Sequence, residues 1–133
     1  MINFIKVKRA MWVKGTKEDR YVARIYRSGN VSLYTIAQEI SHATTLSYPD
    51  VLAALKAFEI HVSTAVLNGC AVKFGMLGSF IPTIHSKAVA SLDDVDADTV
   101  RRVTCRFYPS VAVRKNMKSA QIEYRDLNKV KHV

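Results

Sequence analysis

The chain has 133 residues, 49% of them hydrophobic and 23% charged, with 20 Lys and Arg against 11 Asp and Glu for a net charge of +9. That length suits one domain of ordinary size, and that apolar content excludes a disordered tail or a collagen-like repeat. The charge is uneven, at +6 over residues 1–27, −4 over 28–100 and +7 over 101–133, so both ends of the chain attract polyanions, of which nucleic acid is the commonest.

Residues 3–13 alternate imperfectly between apolar and basic side chains, and residues 20–27 alternate more cleanly through Tyr21, Ala23 and Ile25. Lys14 to Asp19 reads as the turn between them, so a β-hairpin is expected, with many of these cations on its solvent face. Ser28, Gly29 and Asn30 then punctuate the chain. Ser32 is placed to cap a helix from Leu33 to about Thr44, in which Leu33, Ile36, Ala37, Ile40 and Ala43 form one apolar stripe.

The next helix has the clearest start. Ser47, Pro49 and Asp50 supply a cap, a proline tolerated in the first turn, and an acid three positions after the cap. Val51, Leu55, Phe58, Val62 and Val66 sustain the helical period for about five turns, and Asn68-Gly69 ends it. Only Thr45 and Leu46 join the two helices, which must therefore fold back into a helical hairpin.

After Gly69 the period changes to two. Ala71 to Phe74 alternates, Gly75 to Gly78 makes a turn, and Ser79 to Ile84 is extended again, with Pro82 demanding an edge or a bulge. Residues 91–103 read as a loop followed by a short helix or turn, and Thr104 to Tyr108 as a strand ended by Pro109. Ser110 can cap a last short helix containing Val111, Val113, Arg114 and Met117. The remainder to Val133 is polar and basic, with a weak alternation at Ile122-Glu123-Tyr124, and reads as a strand or a partly disordered tail.

Two helices in a hairpin, three strands and a short terminal helix are the element order of the HU and integration-host-factor family, and the residues agree with that order. Ile36-Ala37, Ile40, Leu46-Ser47, Asp50-Val51, Leu55, Phe58, Val62, Leu67 and Gly69 resemble the family's opening helices. Val72, Phe74 and Leu77-Gly78-Ser79-Phe80 resemble its signature turn, and Phe107-Tyr108-Pro109-Ser110 with Val113-Arg114 and Met117 is similar to its passage from last strand to terminal helix. The likeness spans about residues 32–118.

What the resemblance implies is an α+β fold. Residues 1–31 would be an amino-terminal β-hairpin extension; residues 32–118 the HU-like core of antiparallel helical hairpin, three-stranded antiparallel sheet with an arm, and short terminal helix; residues 119–133 a tail. It further implies an intertwined homodimer whose shared core takes Phe58, Phe74, Phe80 and Phe107, and a non-enzymatic, largely sequence-independent grip on double-stranded DNA in the nucleoid of the cytoplasm. Ser79 and Arg114 are carried over by position as DNA contacts; Lys87, Arg101, Arg102 and Arg106 are added by charge and strand placement. The hairpin cations Lys6, Lys8, Arg9, Arg24 and Arg27 are secondary candidates.

The sequence also departs from the family. No Arg-Asn-Pro wedge lies between Phe80 and Phe107, Asp93, Asp94, Asp96 and Asp98 replace a basic arm tip, and Tyr108 and Val111 stand where lysines are usual. Sharp bending by intercalation is therefore not expected. An HU-like assembly module without DNA binding is the alternative reading, and RNA binding a third.

Other chemistry lacks support. Cys70 and Cys105 form no CxxC pair and are expected to be buried thiols. Asp94, Asp96 and Asp98 open like a calcium loop, but Thr99 and Cys105 stand where glycine and glutamate are required. His42, His61, His85 and His132 are scattered, and no glycine-rich phosphate loop is present. No catalytic residue, metal, cofactor or small-molecule substrate is assigned, and no apolar run reaches the roughly 18 residues of a membrane helix.

Overall fold

A computed structural model describes residues 1–129. In chain order its elements are β1 (Ile2–Val13), β2 (Thr16–Tyr26), α1 (Leu33–Ala43), α2 (Tyr48–Leu67), β3 (Val72–Lys73), β4 (Gly78–Ser86), β5 (Val100–Pro109), α3 (Val111–Lys118) and β6 (Ile122–Tyr124). They divide into two units, one made of Met1–Val31 with the chain from Lys118 onward, the other Ser32–Met117.

In the first unit β1 and β2 pair antiparallel from Asn3 opposite Tyr26 to Val13 opposite Thr16. The turn is two residues long rather than the six expected. Lys14 and Gly15, at φ 49° and 80°, both lie in the left-handed region that a two-residue hairpin loop requires, which frees Thr16 to Asp19 to join the ladder. β6 runs parallel to β1, with Ile122 opposite Ile2 and Tyr124 opposite Phe4, giving the order β2-β1-β6. The tail therefore supplies a strand. The Phe4 and Tyr124 rings lie 5.7 Å apart, and the Arg125 guanidinium sits 4.5 Å from the Tyr26 ring centre. The end of the tail, with His132, lies outside the described residues.

In the second unit the predicted caps are in place. Ser32 Oγ accepts the Thr35 N–H at 3.2 Å, and Ser47 Oγ accepts that of Asp50 at 3.4 Å. α1 and α2 pack on each other, with Ala37 fully buried and Val51 almost so. The sheet order is β3-β4-β5. β3 faces β4 only at Phe80 and Ser79, so β4 has an open edge at Pro82, where a residue without an N–H belongs.

β5 begins earlier than expected. Residues 100–103 belong to the strand, preceded by two 3₁₀ turns at Leu92–Asp94 and Ala97–Thr99. The Asp96 carboxylate accepts the Asp98 and Thr99 N–H groups at 3.0 and 3.2 Å. The Thr99 hydroxyl donates to the Asp96 carbonyl at 2.7 Å. This closed box ends the helical geometry within one turn and leaves Val100 to Val103 free for the ladder.

Two residues fix the start of the sheet. Gly78 has φ 146°, and a Cβ there would lie 2.2 Å from the Tyr108 carbonyl oxygen. Ser110 donates its N–H to the Leu77 carbonyl at 3.1 Å and its hydroxyl to that of Met76, while its Oγ accepts the Val113 N–H at 3.2 Å. One serine thus caps α3 and ties it to the turn before β4. Gly78→Ala is expected to cost about 2–3 kcal/mol, since both backbone strain and the collision act, and to lower Tm by roughly 10 °C in a circular-dichroism melt. Gly75→Ala, at φ 62° in open space, should cost only about 1 kcal/mol.

Candidate nucleic-acid interface

Successive side chains of a strand point to opposite faces, so the register of β4 with β5 sorts their residues. Phe80, Pro82 and Ile84 share one face with Phe107, Cys105 and Val103. That face meets α2 through a chain of rings: Phe58 to Phe74 at 5.4 Å, Phe74 to Phe80 at 5.0 Å, and Phe80 to Phe107 at 5.3 Å. Ser79, Thr83 and His85 share the other face with Tyr108, Arg106, Thr104 and Arg102. Lys73 of β3, opposite Ser79, joins them.

This second face is cationic. Lys73, Arg102 and Arg106 are all exposed, no acid occupies a paired position beside them, and none enters the three ion pairs found among the described residues. Arg102 and Arg106 stand four residues apart on one strand, about 13 Å. A cation without a protein partner keeps its full Coulomb attraction for an incoming phosphate, and three on a rigid sheet are positioned before the ligand arrives.

The other expected contacts are distributed differently. Ser79 is half-buried on the cationic face, opposite Tyr108. Arg101 is the extra residue of a bulge: His85 pairs with Arg102 and Ser86 with Val100, so the ladder passes over it. Strand alternation does not assign it a face. Lys87 follows β4 and donates its N–H to the Thr99 carbonyl at 2.8 Å, and Arg114 is exposed on α3. Lys73 is absent from the candidates that the sequence suggests, although Val72 and Phe74 on either side of it are both apolar and mark it as facing the other way.

In the amino-terminal sheet the register splits the secondary candidates. Lys6 and Lys8 lie on one face, Arg9 and Arg24 on the other, and Arg27 follows the end of β2. Lys8 pairs with Asp19 at 3.1 Å, and the Lys6 ammonium sits 4.6 Å from the Tyr124 ring centre.

The apolar face of the second unit is left open. Phe58 is 50% exposed and Phe107 49%, and Ala37 and Val51 are the only buried hydrophobic residues among those described. One hollow of about 620 Å³ is lined by Phe58, Val62, Val66, Leu67, Phe80 and Cys105. A second, of about 420 Å³, is lined by Phe58, Phe74, Leu77, Phe80, Phe107 and Val113. Contrary to expectation, both cysteines are exposed. Cys105 lies on this uncovered face of β5 and Cys70 just past the end of α2, and a single chain has too little interior to cover either.

Among the described residues no group of His, Cys, Asp and Glu could hold a metal ion. No described helix is long and apolar enough to cross a membrane.

Residues 2–124 match the family described as an HU domain fused to wHTH, Ig, or glycine-rich motif. Among solved structures, a candidate bacterial DNA-binding protein from Bacteroides vulgatus ATCC 8482 superposes with a TM-score of 0.63 at 15% identity. The superposition covers 92% of this chain and 47% of that one, so this chain spans about half the length of its structural neighbour, and the likeness is one of fold. No curated protein sequence matches the chain.

Substituting both Arg102 and Arg106 by alanine is expected to change unfolding free energy by less than about 1 kcal/mol in urea titration, as neither has a protein partner to lose.

Proposed function

The chain belongs to the family of HU domains fused to wHTH, Ig, or glycine-rich motifs, and from that premise we propose that it binds double-stranded DNA as a non-enzymatic architectural protein of the nucleoid. The observation that carries this reading is the face bearing Lys73, Arg102, Arg106 and Ser79, which holds no paired acid and spends none of its cations on ion pairs. Phosphate contacts of this kind release condensed counterions and read no bases, so binding is largely independent of sequence. Arg101, Lys87 and Arg114 extend the contact where the duplex passes the bulge and the terminal helix. With no Arg-Asn-Pro tip between β4 and β5, the duplex is held with little kinking.

The working unit is a homodimer. Obligate dimers bury roughly 2,000–5,000 Å², and the open Phe58, Phe74, Phe80 and Phe107 face is the apolar surface that a second copy would cover. Pairing two sheets also doubles the cations available to one duplex.

In a gel shift with random-sequence duplex, micromolar or tighter binding is expected near about 50 mM salt, falling at least a hundredfold by about 200 mM. The Arg102→Ala, Arg106→Ala variant should weaken binding uniformly across sequences and flatten the log–log salt slope by about 0.9 for each phosphate it no longer neutralises. An absence of any shift at low salt would favour the alternative, an HU-like assembly module without DNA binding. Light scattering should return twice the 14.9 kDa of one chain; a stable monomer contradicts the shared core. Phe107→Ala should lower dimer stability by about 3–5 kcal/mol.

A further inference from the structure

We infer that the amino-terminal sheet carries a second nucleic-acid site, for unpaired nucleotides, on the face that presents Phe4, Tyr124, Tyr21 and Trp12. The register places these rings on one side of the sheet, with Phe4 beside Tyr124, Tyr21 opposite Lys8, and Trp12 opposite Lys17. Lys6 opposite Ala23 lies between the first two levels. Four residues separate one aromatic level from the next, about 13 Å along the strands. Trp12 and Tyr21 are open to solvent, each 74% exposed, and Tyr124 is 46% exposed, with Phe4 half-buried beside it.

An apolar core function does not account for Trp12 and Tyr21, left this exposed where the sheet continues as two strands beyond β6. A protein-docking patch is the other use of such a face, but lysine is depleted at the centres of protein interfaces, and here Lys6, Lys8 and Lys17 alternate with the rings. Asp19 is the only acid among the paired residues of this face, and it is already bridged to Lys8 at 3.1 Å. Flat rings interleaved with cations match a polyanion whose bases are free to stack, which is the arrangement of single-strand binding surfaces. A duplex does not meet this demand, because its bases are stacked inside. The site uses none of the residues of the cationic face of β4 and β5 and does not depend on the duplex reading.

Trp12 is the only tryptophan of the chain, so its emission reports on this face alone. Titrating the intact chain with an oligothymidylate of about 20 nucleotides near about 50 mM salt should quench that emission saturably. Tyr21→Val, which keeps a strand-forming side chain and removes the ring, should weaken the interaction about tenfold or more, and Tyr21→Phe should restore it. Circular dichroism would establish that both variants remain folded. The Arg102→Ala, Arg106→Ala chain should bind the oligonucleotide as well as the unsubstituted chain, and Tyr21→Val should leave the duplex gel shift unchanged. Quenching without any duplex shift would remove the duplex reading and leave this one standing. Three results would overturn it: no quenching, equal quenching by inorganic polyphosphate, or an emission change that follows protein concentration alone, which would place a second copy on the face.

Discussion

The interior of the second unit is incomplete, and the rest of its organisation follows from that. Fully burying a phenylalanine contributes about 1.5–3 kcal/mol, so four rings that remain partly open forgo several kcal/mol. Whole domains are stable by only about 5–15 kcal/mol. For this unit, covering the aromatic row therefore counts for as much as any element within it. Two serine caps, the Ser110 tie and the Asp96 box organise the backbone but add only about 1 kcal/mol each. They specify where the elements lie; an apolar cover over Phe58 and Phe107 is what would make the arrangement strongly stable.

Strand alternation then couples the apolar row to the cations. Phe80 follows Ser79 and Phe107 follows Arg106, so each residue that meets α2 has a neighbour aimed the opposite way. A slip of one residue would exchange the two sets, putting Arg106 among the rings and Phe107 in water. The register is therefore the quantity that has to be protected. Gly78 protects it, since only a residue without a Cβ lets β4 pass against the Tyr108 carbonyl, and Ser110 holds the preceding turn from the far side of β5. These two residues carry no charge, yet they decide which face the charges occupy.

Much of this is readable in the chain, and the exceptions share a cause. Caps such as Ser32 and Ser47 act on groups three residues away, and the two helices, the Gly75–Gly78 turn and the family likeness can all be drawn from such local patterns. Misplacement arises where a distant partner decides. β6 owes its existence to Ile2 and Phe4, more than a hundred residues earlier, and three residues of weak alternation give no sign of that. Val100 to Val103 read as a helix or turn because the Asp96 box immediately before them is helical, although the β-branched Val100 and Val103 favour a strand. Lys73 is marked only by the apolar Val72 and Phe74 on either side of it, a weak signal because β3 is only two residues long. The exposed thiols reflect a different limit: composition predicts what a residue prefers, whereas burial depends on how much interior one chain encloses.

The acidic stretch before β5 is the feature least compatible with an anionic ligand, and distance decides how much it matters. Asp98 lies in the 3₁₀ turn before β5, whereas Arg102 and Arg106 stand two and six residues past the strand's start at Val100, about 7 and 20 Å along it. At physiological ionic strength the Debye length is about 8 Å, so Arg106 and Lys73 lie well beyond the reach of the aspartates and Arg102 lies near its limit. The Asp96 carboxylate is moreover held by two backbone N–H groups of its own turn, which fixes it in place and prevents it from folding back toward the arginines. Repulsion is thus confined to the end of the β4–β5 ribbon. It moves a polyanion toward the base of the sheet, where Ser79, Lys73 and Arg106 are grouped, and it leaves that group's attraction intact.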